Sequence, residues 1–373
     1  MPRPIQAVIH HAALRHNLQV VRQHAGCARV WAVVKANAYG HGIERVYAEL
    51  RAADGFALLD LQEAVRLRRL GWLGPILLLE GVFDPEDLDI CSRFNLWHVV
   101  HCAEQIDMLA SHQTYVPHHV FLKLNSGMNR LGLKPRHFRD AWNRLTNLPQ
   151  VREISMMTHF SDADGKPGIQ KQLVEFRCAT EGLRGERSVC NSAATLRFGE
   201  NAGTAQDWVR AGVALYGGSP DFPDRSIGHW GLEPAMSLRT RIIAVQHLQS
   251  GDTVGYGSSF TAKAPMTIGI AACGYADGYP RACQTGTPVL VDGIASRTIG
   301  RVSMDMIAVD LSASVNIGRP AKHGSEVVLW GRASAEFGGT VLAIDQVAAH
   351  ARTIGYELMC AVAKRVPFKF EVD

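Results

Sequence analysis

The chain lacks any apolar run long enough to cross a bilayer, and its start, Met-Pro-Arg-Pro-Ile-Gln-Ala-Val-Ile-His-His, has no stretch that could serve as a secretory signal. A soluble, cytoplasmic protein is therefore expected. Cysteine occurs at eight positions (27, 91, 102, 178, 190, 273, 283 and 360), but no two form a Cys-x-x-Cys pair. In a chain of this length that pattern points to free thiols rather than a disulfide framework. No His-Glu-x-x-His occurs among the 16 histidines, and the neighbours in His10-His11 and His118-His119 would point to opposite faces of a strand. No metal site is expected. Charge of one sign is not in excess: 39 Lys and Arg against 35 Asp and Glu leave a net +4, scattered rather than gathered into a stripe, so nucleic-acid binding is not indicated. No internal repeat or low-complexity tract stands out.

What is present is an alternation. At 373 residues the chain can bury a core for two domains, or for one barrel with an extension. Up to about residue 217, short β-prone runs alternate with amphipathic stretches. Eight runs read as strands: 29–34, 56–59, 75–79, 97–101, 120–124, 154–158, 188–190 and 208–211. Helix signals lie between them. Asp60-x-x-Glu63 reads as a capping box beside Leu61, Ala64, Val65 and Leu67, and Asp84-Pro85 as N-cap and first helical position. Strands alternating with helices imply parallel pairing, and this number of units predicts a (β/α)8 TIM-type barrel. A doubly wound open sheet is the rival, weakened because no Gly-x-Gly-x-x-Gly follows a strand. After the turn-rich segment 219–224 the texture changes to β-prone runs broken by Ser250-Gly-Asp252, Val291-Asp-Gly293 and Lys322-His-Gly-Ser325, with helical signal returning at 341–350. The predicted domains are a barrel over 1–230 and a mainly β domain over 231–373.

Placed on that barrel, the chemically capable residues fall at carboxyl ends of strands. Lys35 follows the first, Lys123 lies near the end of the fifth, His159 follows the sixth, Asn191 and Ser192 follow the seventh, and Arg210 lies near the end of the eighth. In a parallel barrel those ends form one rim, where active sites are built. A lysine delivered by a buried strand into a turn can be desolvated into a nucleophilic amine able to form a Schiff base. By its local pattern alone, Lys35 reads rather as the first solvated residue after a strand; the rest of the chain reverses that. The turns Asn191-Ser-Ala-Ala194 and Arg210-Ala-Gly-Val213 follow strands seven and eight, the usual phosphate seat of this architecture, although the first also reads as a plain helix N-cap. An amine facing a phosphate seat suggests pyridoxal 5′-phosphate.

Further motifs follow in order: Val34-Lys-Ala-Asn-Ala-Tyr-Gly-His-Gly42, Ser126-Gly-Met-Asn-Arg-Leu-Gly132, Thr158-His-Phe160 with Asp164 nearby, Asn191-Ser-Ala-Ala-Thr195, Val209-Arg-Ala-Gly-Val-Ala-Leu-Tyr-Gly217, Val254-Gly-Tyr-Gly257, Gly274-Tyr-Ala-Asp-Gly-Tyr279, Gly300-Arg-Val-Ser-Met-Asp305 and Gly355-Tyr-Glu357. In this ordered set the chain closely resembles the alanine racemase family, from about residue 5 to about 368. The resemblance implies a pyridoxal-phosphate-dependent isomerase that interconverts L-alanine and D-alanine and supplies D-alanine for peptidoglycan.

By the same resemblance, Lys35 carries the cofactor and acts as one catalytic base, while Tyr256 is the opposite base. Two bases are needed because inversion at the α-carbon requires proton delivery from the face opposite abstraction. His159 and Arg210 would support the Tyr256 phenolate, and Arg210 would also bond the pyridine nitrogen. Tyr39, Ser192, Gly212, Val213 and Tyr356 resemble the phosphate contacts. Arg130 and the Met304 amide resemble the substrate carboxylate contacts, and Tyr275 a residue narrowing the entrance. Lys123 matches a lysine that many members carry as a carbamate, though simple hydrogen bonding beside Arg130 is also open. One departure is Ser188, which stands where many relatives have a histidine beside the arginine matching Arg210. A head-to-tail homodimer is implied, in which Tyr256, Tyr275 and Met304 reach the barrel of the other subunit. The alternatives are a broad-specificity amino-acid racemase on the same fold and a barrel that binds the cofactor without turnover. The latter fits poorly, because such proteins lack the β domain that bears Tyr256.

Overall fold

The computed structural model describes residues 3–114, 116–201 and 203–371. The chain forms two compact units, one of residues 15–215 and one of the residues up to Leu14 together with those from Tyr216 onward.

In the first unit eight parallel strands, Arg29–Val33, Gly55–Leu58, Ile76–Leu78, Trp97–Val100, His118–Lys123, Val151–Met157, Arg187–Ser188 and Trp208–Ala211, close into a barrel. The closing pair sets Arg29 beside Trp208 and Val30 beside Val209. Each predicted run became a strand, the largest shift being the start of Val151–Met157, predicted at 154. Parallel strands covered on both faces read as unbroken apolar runs, which is why these were visible. Near the strand starts the interior is aromatic. Trp31 stacks on Trp208 with centroids 4.1 Å apart and meets Trp97 edge-on at 5.6 Å, with Phe121 beside them at 6.1 Å from Trp31. Side chains alternate along a strand, so the residues two positions on from Phe121 and Trp208 face the same interior one layer higher. Those residues are Lys123 and Arg210, and a dry aromatic floor thus lies beneath a charged mouth.

The second unit is mainly β. Its nine-stranded sheet is organised by the strand Met236–Leu248, which pairs antiparallel with Met266–Ala271 and with Glu326–Arg332, helped by a register shift between Ile242 and Ala244. Leu238, Ile242, Val327, Val328 and Trp330 form its buried centre.

Four sequence expectations need correction. The strand Gln6–His10 was not foreseen; it runs antiparallel to Met236–Leu248 and parallel to Phe368–Glu371, so the chain start belongs with the β unit and not with the barrel. The boundary at 230 also moves, because residues from Tyr216 onward are tied into the β unit: the Ser219 N–H donates to the Asp345 carboxylate at 2.8 Å, and the Trp230 indole to Asp221 at 2.8 Å. Within 341–350 the first two residues form the strand Val341–Leu342, paired with Gly331 and Arg332, and the helix is Ile344–His350. Helix Asp87–Phe94 begins later than Asp84-Pro85 predicted, since the Asp87 carboxylate accepts the N–H groups of Phe83 and Asp84 at 2.9 and 3.1 Å and holds the turn ahead of it. Among the described residues no disulfide links any of the eight cysteines. Among the described residues no helix is long and apolar enough to cross a membrane, and no group of metal-ligating side chains occurs.

Candidate functional site

Strand Arg29–Val33 ends on buried Val34, and Lys35 opens the turn predicted there. The next four residues, Ala36, Asn37, Ala38 and Tyr39, have φ of 54°, 52°, 56° and 51°. For L-residues the left-handed helical conformation costs ~1–2 kcal/mol each, so this segment needs external support. Part is local: Ala38 N–H donates to Val34 O at 2.8 Å, and Gly42 N–H to Asn37 O at 2.8 Å. The rest comes from helix Leu61–Arg69. Glu63 Oε1 accepts the Asn37 N–H at 2.6 Å, and Asn37 Oδ1 accepts from Arg66 Nη2 at 3.0 Å and from the Ile43 N–H at 3.2 Å.

Arg210, only 4% exposed, is the node of the mouth. Its Nη1 donates to Ser188 O at 2.8 Å and Ser188 Oγ at 2.7 Å; its Nη2 donates to Thr158 O at 2.6 Å, Val189 O at 3.2 Å and His159 Nδ1 at 3.3 Å. Burial pushes its pKa down to about 10, which still leaves it charged near neutrality. With both terminal nitrogens engaged, the Nε–H is the donor without a partner among the described residues. The Ser188 departure is absorbed simply: its hydroxyl accepts from Arg210 and donates to Trp208 O at 3.0 Å.

Lys123 is 7% exposed, and burial, followed by the charges of Arg210, Arg130 and Lys35, pushes its pKa down to about 8. Burial, followed by the charges of Arg210, Lys123, Arg130 and Lys35, holds His159 well below the usual histidine range, so its ring is neutral. Arg130 itself is exposed, in the loop between Leu124 and Leu133, which pair across the loop ends. Four cations at one strand-end rim favour an anionic occupant.

The predicted phosphate seat converges in part. The Gly212 N–H donates to Ser192 Oγ at 2.9 Å, with Ala214 N–H at 3.5 Å from the same oxygen. A Cβ on Gly212 would stand 2.4 Å from Tyr39 Oη, so only glycine allows the two hydroxyls and the backbone to meet. Asn191 does cap helix Ser192–Phe198, accepting the Ala194 N–H at 2.9 Å. Val213 follows Gly212 and is buried, whereas Tyr356 lies in helix Gly355–Ala361 of the β unit. This donor set fits pyridoxal 5′-phosphate. Lys35 offers an amine for its aldehyde, the Tyr39, Ser192 and Gly212 cradle offers hydroxyls and amides for its phosphate, and Arg210 offers one remaining N–H for its ring nitrogen.

Tyr256, Tyr275 and Met304 belong to the β unit and are 73%, 38% and 52% exposed. The segment 300–304 joins their turns. The Gly300 backbone lies against Val254, just ahead of Tyr256, while the N–H groups of Tyr275 and Ala276 donate to Ser303 O and Met304 O, each at 3.1 Å. A Cβ on Gly274 would sit 2.3 Å from both carbonyls. Buried Asp277 fixes this turn: it accepts the Gly274 N–H at 2.9 Å and pairs with Arg3 at 3.2 Å and Arg365 at 2.7 Å, both of which also reach Asp305.

Sequence reasoning missed Asp277 as an organiser of the Tyr275 turn and missed Glu63, Asn37 and Arg66 as supports of the Lys35 turn. Asp277 lay inside a quoted motif without a role. Glu63 carried a misleading signal, because its capping-box spacing assigned it to its own helix.

Comparison with known proteins agrees with this geometry. Residues 9–220 match the family described as Alanine racemase, N-terminal domain, and residues 235–370 match Alanine racemase, C-terminal domain. The alanine racemase of Verminephrobacter eiseniae is 65% identical over 367 residues, 98% of each chain. The crystal structure of the biosynthetic alanine racemase from Pseudomonas aeruginosa has a TM-score of 0.91 at 41% identity, covering 99% of this chain and 100% of that one. The alanine racemase of Acinetobacter baumannii has a TM-score of 0.90 at 36% identity, with the same coverage of 99% and 100%. Matched in both halves and from end to end, the chain belongs to the alanine racemase family, isomerases that depend on pyridoxal 5′-phosphate.

Proposed function

We propose that the protein interconverts L-alanine and D-alanine in the cytoplasm with two bases, Lys35 on one face of the α-carbon and Tyr256 of the partner subunit on the other, supplying D-alanine for peptidoglycan. The bound cofactor supplies electron withdrawal that makes the α-proton removable near neutral pH. The Lys35 ε-amine and the Tyr256 phenolic oxygen then exchange roles as proton acceptor and proton donor, according to which enantiomer enters.

A tyrosine is a poor base unless its phenolate is stabilised. His159 is suited to stabilising it: Arg210 Nη2 at 3.3 Å donates to Nδ1, which in a neutral ring leaves the proton on Nε2 for the phenolate oxygen in place of the longer 3.5 Å contact from Asn191 Nδ2. Arg210 keeps its protons and donates through Nε without protonating the ring nitrogen, which tempers electron withdrawal and disfavours transamination. Tyr39, Ser192, Tyr356 and the amides of Gly212 and Val213 would hold the phosphate. Arg130 and the Met304 amide would hold the substrate carboxylate, and Tyr275 would narrow the entrance against bulky amino acids. Lys123, with its ammonium destabilised, is suited to carbamylation, and the resulting anion would answer Arg130.

The observation that carries this reading is Arg210, locked through both terminal nitrogens at the rim that also holds Lys35, with its Nε–H left without a partner among the described residues. The test is subunit exchange between Lys35→Ala and Tyr256→Phe proteins. In a head-to-tail homodimer with shared sites, each heterodimer has one site keeping both bases, so an equal mixture regains roughly a quarter of wild-type turnover. Strictly additive residual activities would refute shared sites.

A further inference from the structure

The turn that carries Lys35 and Tyr39 is left-handed at four consecutive residues, none of them glycine. Backbone in that region persists only where its surroundings over-determine it. The determining groups come from helix Leu61–Arg69, and one of them has left the place its own sequence assigns. In a capping box the fourth residue sends its carboxylate back to the backbone of the first. Asp60 performs its half, accepting the N–H groups of Gln62 and Glu63 at 2.6 and 3.2 Å. Glu63 turns away instead, and its Oε1 takes the N–H of Asn37 at 2.6 Å.

Arg66, three residues on and so on the same face of the helix, completes the grip. Its Nη2 donates to Asn37 Oδ1 at 3.0 Å, and Glu44 holds the guanidinium at 2.8 Å through Nε and 2.5 Å through Nη2. Asn37 is therefore held at its amide and at its side chain by one rigid helix, and it is the residue midway between Lys35 and Tyr39. Burial pushes the Glu63 carboxyl pKa up, with the Asn37 N–H opposing. Capping alone would not require the carboxylate to sit half-buried against Asn37.

We infer that Glu63, assisted by Arg66, is a positioning residue for the racemase reaction: it holds the left-handed turn so that the Lys35 amine and the Tyr39 hydroxyl keep their relative placement through each proton transfer. This rests on Lys35 being the cofactor-bearing base, a premise that would fail separately if Lys35→Ala kept its turnover. The signature of a positioning role is directional. A displaced Lys35 slows the proton transfers it performs, while those of Tyr256 are untouched.

The test compares Glu63→Ala, Glu63→Gln and Asp60→Ala holoenzymes. Amide deuterium exchange is followed over residues 34–42, and α-deuterium isotope effects are measured from each enantiomer. Glu63→Ala should exchange faster across the turn and lose roughly 10–100-fold in kcat, the scale of a small misplacement of a reacting group. Its isotope effect should rise with the enantiomer whose proton Lys35 takes and fall with the other, where Tyr256 takes the proton and the slowed Lys35 delivers it. Glu63→Gln keeps an oxygen for the Asn37 N–H and should restore most of both readouts. Asp60→Ala damages the same helix without touching the turn, so it should lower Tm and leave both isotope effects unchanged. Wild-type exchange over 34–42 in Glu63→Ala, equal isotope-effect changes in both directions, or behaviour matching Asp60→Ala would overturn the inference.

Discussion

Ser188 Oγ accepts a hydrogen bond from Arg210 Nη1 at 2.7 Å while donating to the Trp208 carbonyl at 3.0 Å. A hydroxyl of fixed orientation thus links the arginine to the backbone of its own strand. Ser188→Ala should remove a charge-assisted bond worth about 1–3 kcal/mol of stability. Ser188 O, Thr158 O and Val189 O remain, so the guanidinium should stay in place and kcat should fall by less than about tenfold. Urea unfolding together with turnover measurements checks this, and a loss of activity without a loss of stability would contradict it.

The lowered pKa of Lys123 predicts carbamate formation near neutral pH. An amine titrating at about 8 is neutral in only a minority of molecules near neutral pH, but in far more than an ordinary lysine, and that fraction is open to carbon dioxide. Protein equilibrated with 13C-bicarbonate should show one carbamate resonance that is absent in Lys123→Ala, and that variant should lose any bicarbonate dependence of turnover. An unmodified lysine in fully active enzyme would exclude the modification.

Gly274→Ala should disturb the substrate entrance without unfolding the β unit. The added carbon would press on Ser303 O and Met304 O, both 2.3 Å away, and shift the turn that bears Tyr275. A rise in KM for alanine, with measurable turnover of larger amino acids such as serine, is the expected result of assays across substrates.

Acid should weaken the barrel through its buried histidines. Burial pushes the pKa of His98 down to about 3 and that of His118 to about 4, and their rings lie 5.1 Å apart. Because these folded-state values lie below the unfolded value of about 6.5, the unfolded chain binds more protons between them. Their contribution is intact above about pH 6.5 and is lost as pH falls toward the folded values, amounting to about 2 kcal/mol per ring at pH 5. His98→Leu should flatten the fall in urea midpoint between pH 8 and pH 5.

Much of this was legible in advance, for identifiable reasons. The barrel strands were readable because burial on both faces leaves an apolar run, and Lys35, Lys123, His159 and Arg210 were readable because they terminate or follow such runs. The strand Gln6–His10 was not, since its partners are Met236 to Arg239, far along the chain, and Phe368 to Glu371 near its other end, and a short local run says nothing of them. Glu63 was misread for the opposite reason: its local pattern was complete, and a tertiary demand, the left-handed turn at Asn37, outweighed it. The roles of Ser188 and Asp277 depend on which backbone groups arrive beside them, and side-chain type alone carries no record of that.

The indoles of Trp31, Trp97 and Trp208 touch one another inside the barrel, with the closest centroids 4.1 Å apart. Chromophores at such spacing share their excited states, so this trio should give a far-ultraviolet circular dichroism couplet, from the strong indole transition, that vanishes when the strands separate. Trp330 stacks on Tyr279 in the other unit and has no such partners in its ring contacts among the described residues. The protein thereby carries its own optical reporter for one half, and the melting of the barrel can be timed without attaching any label.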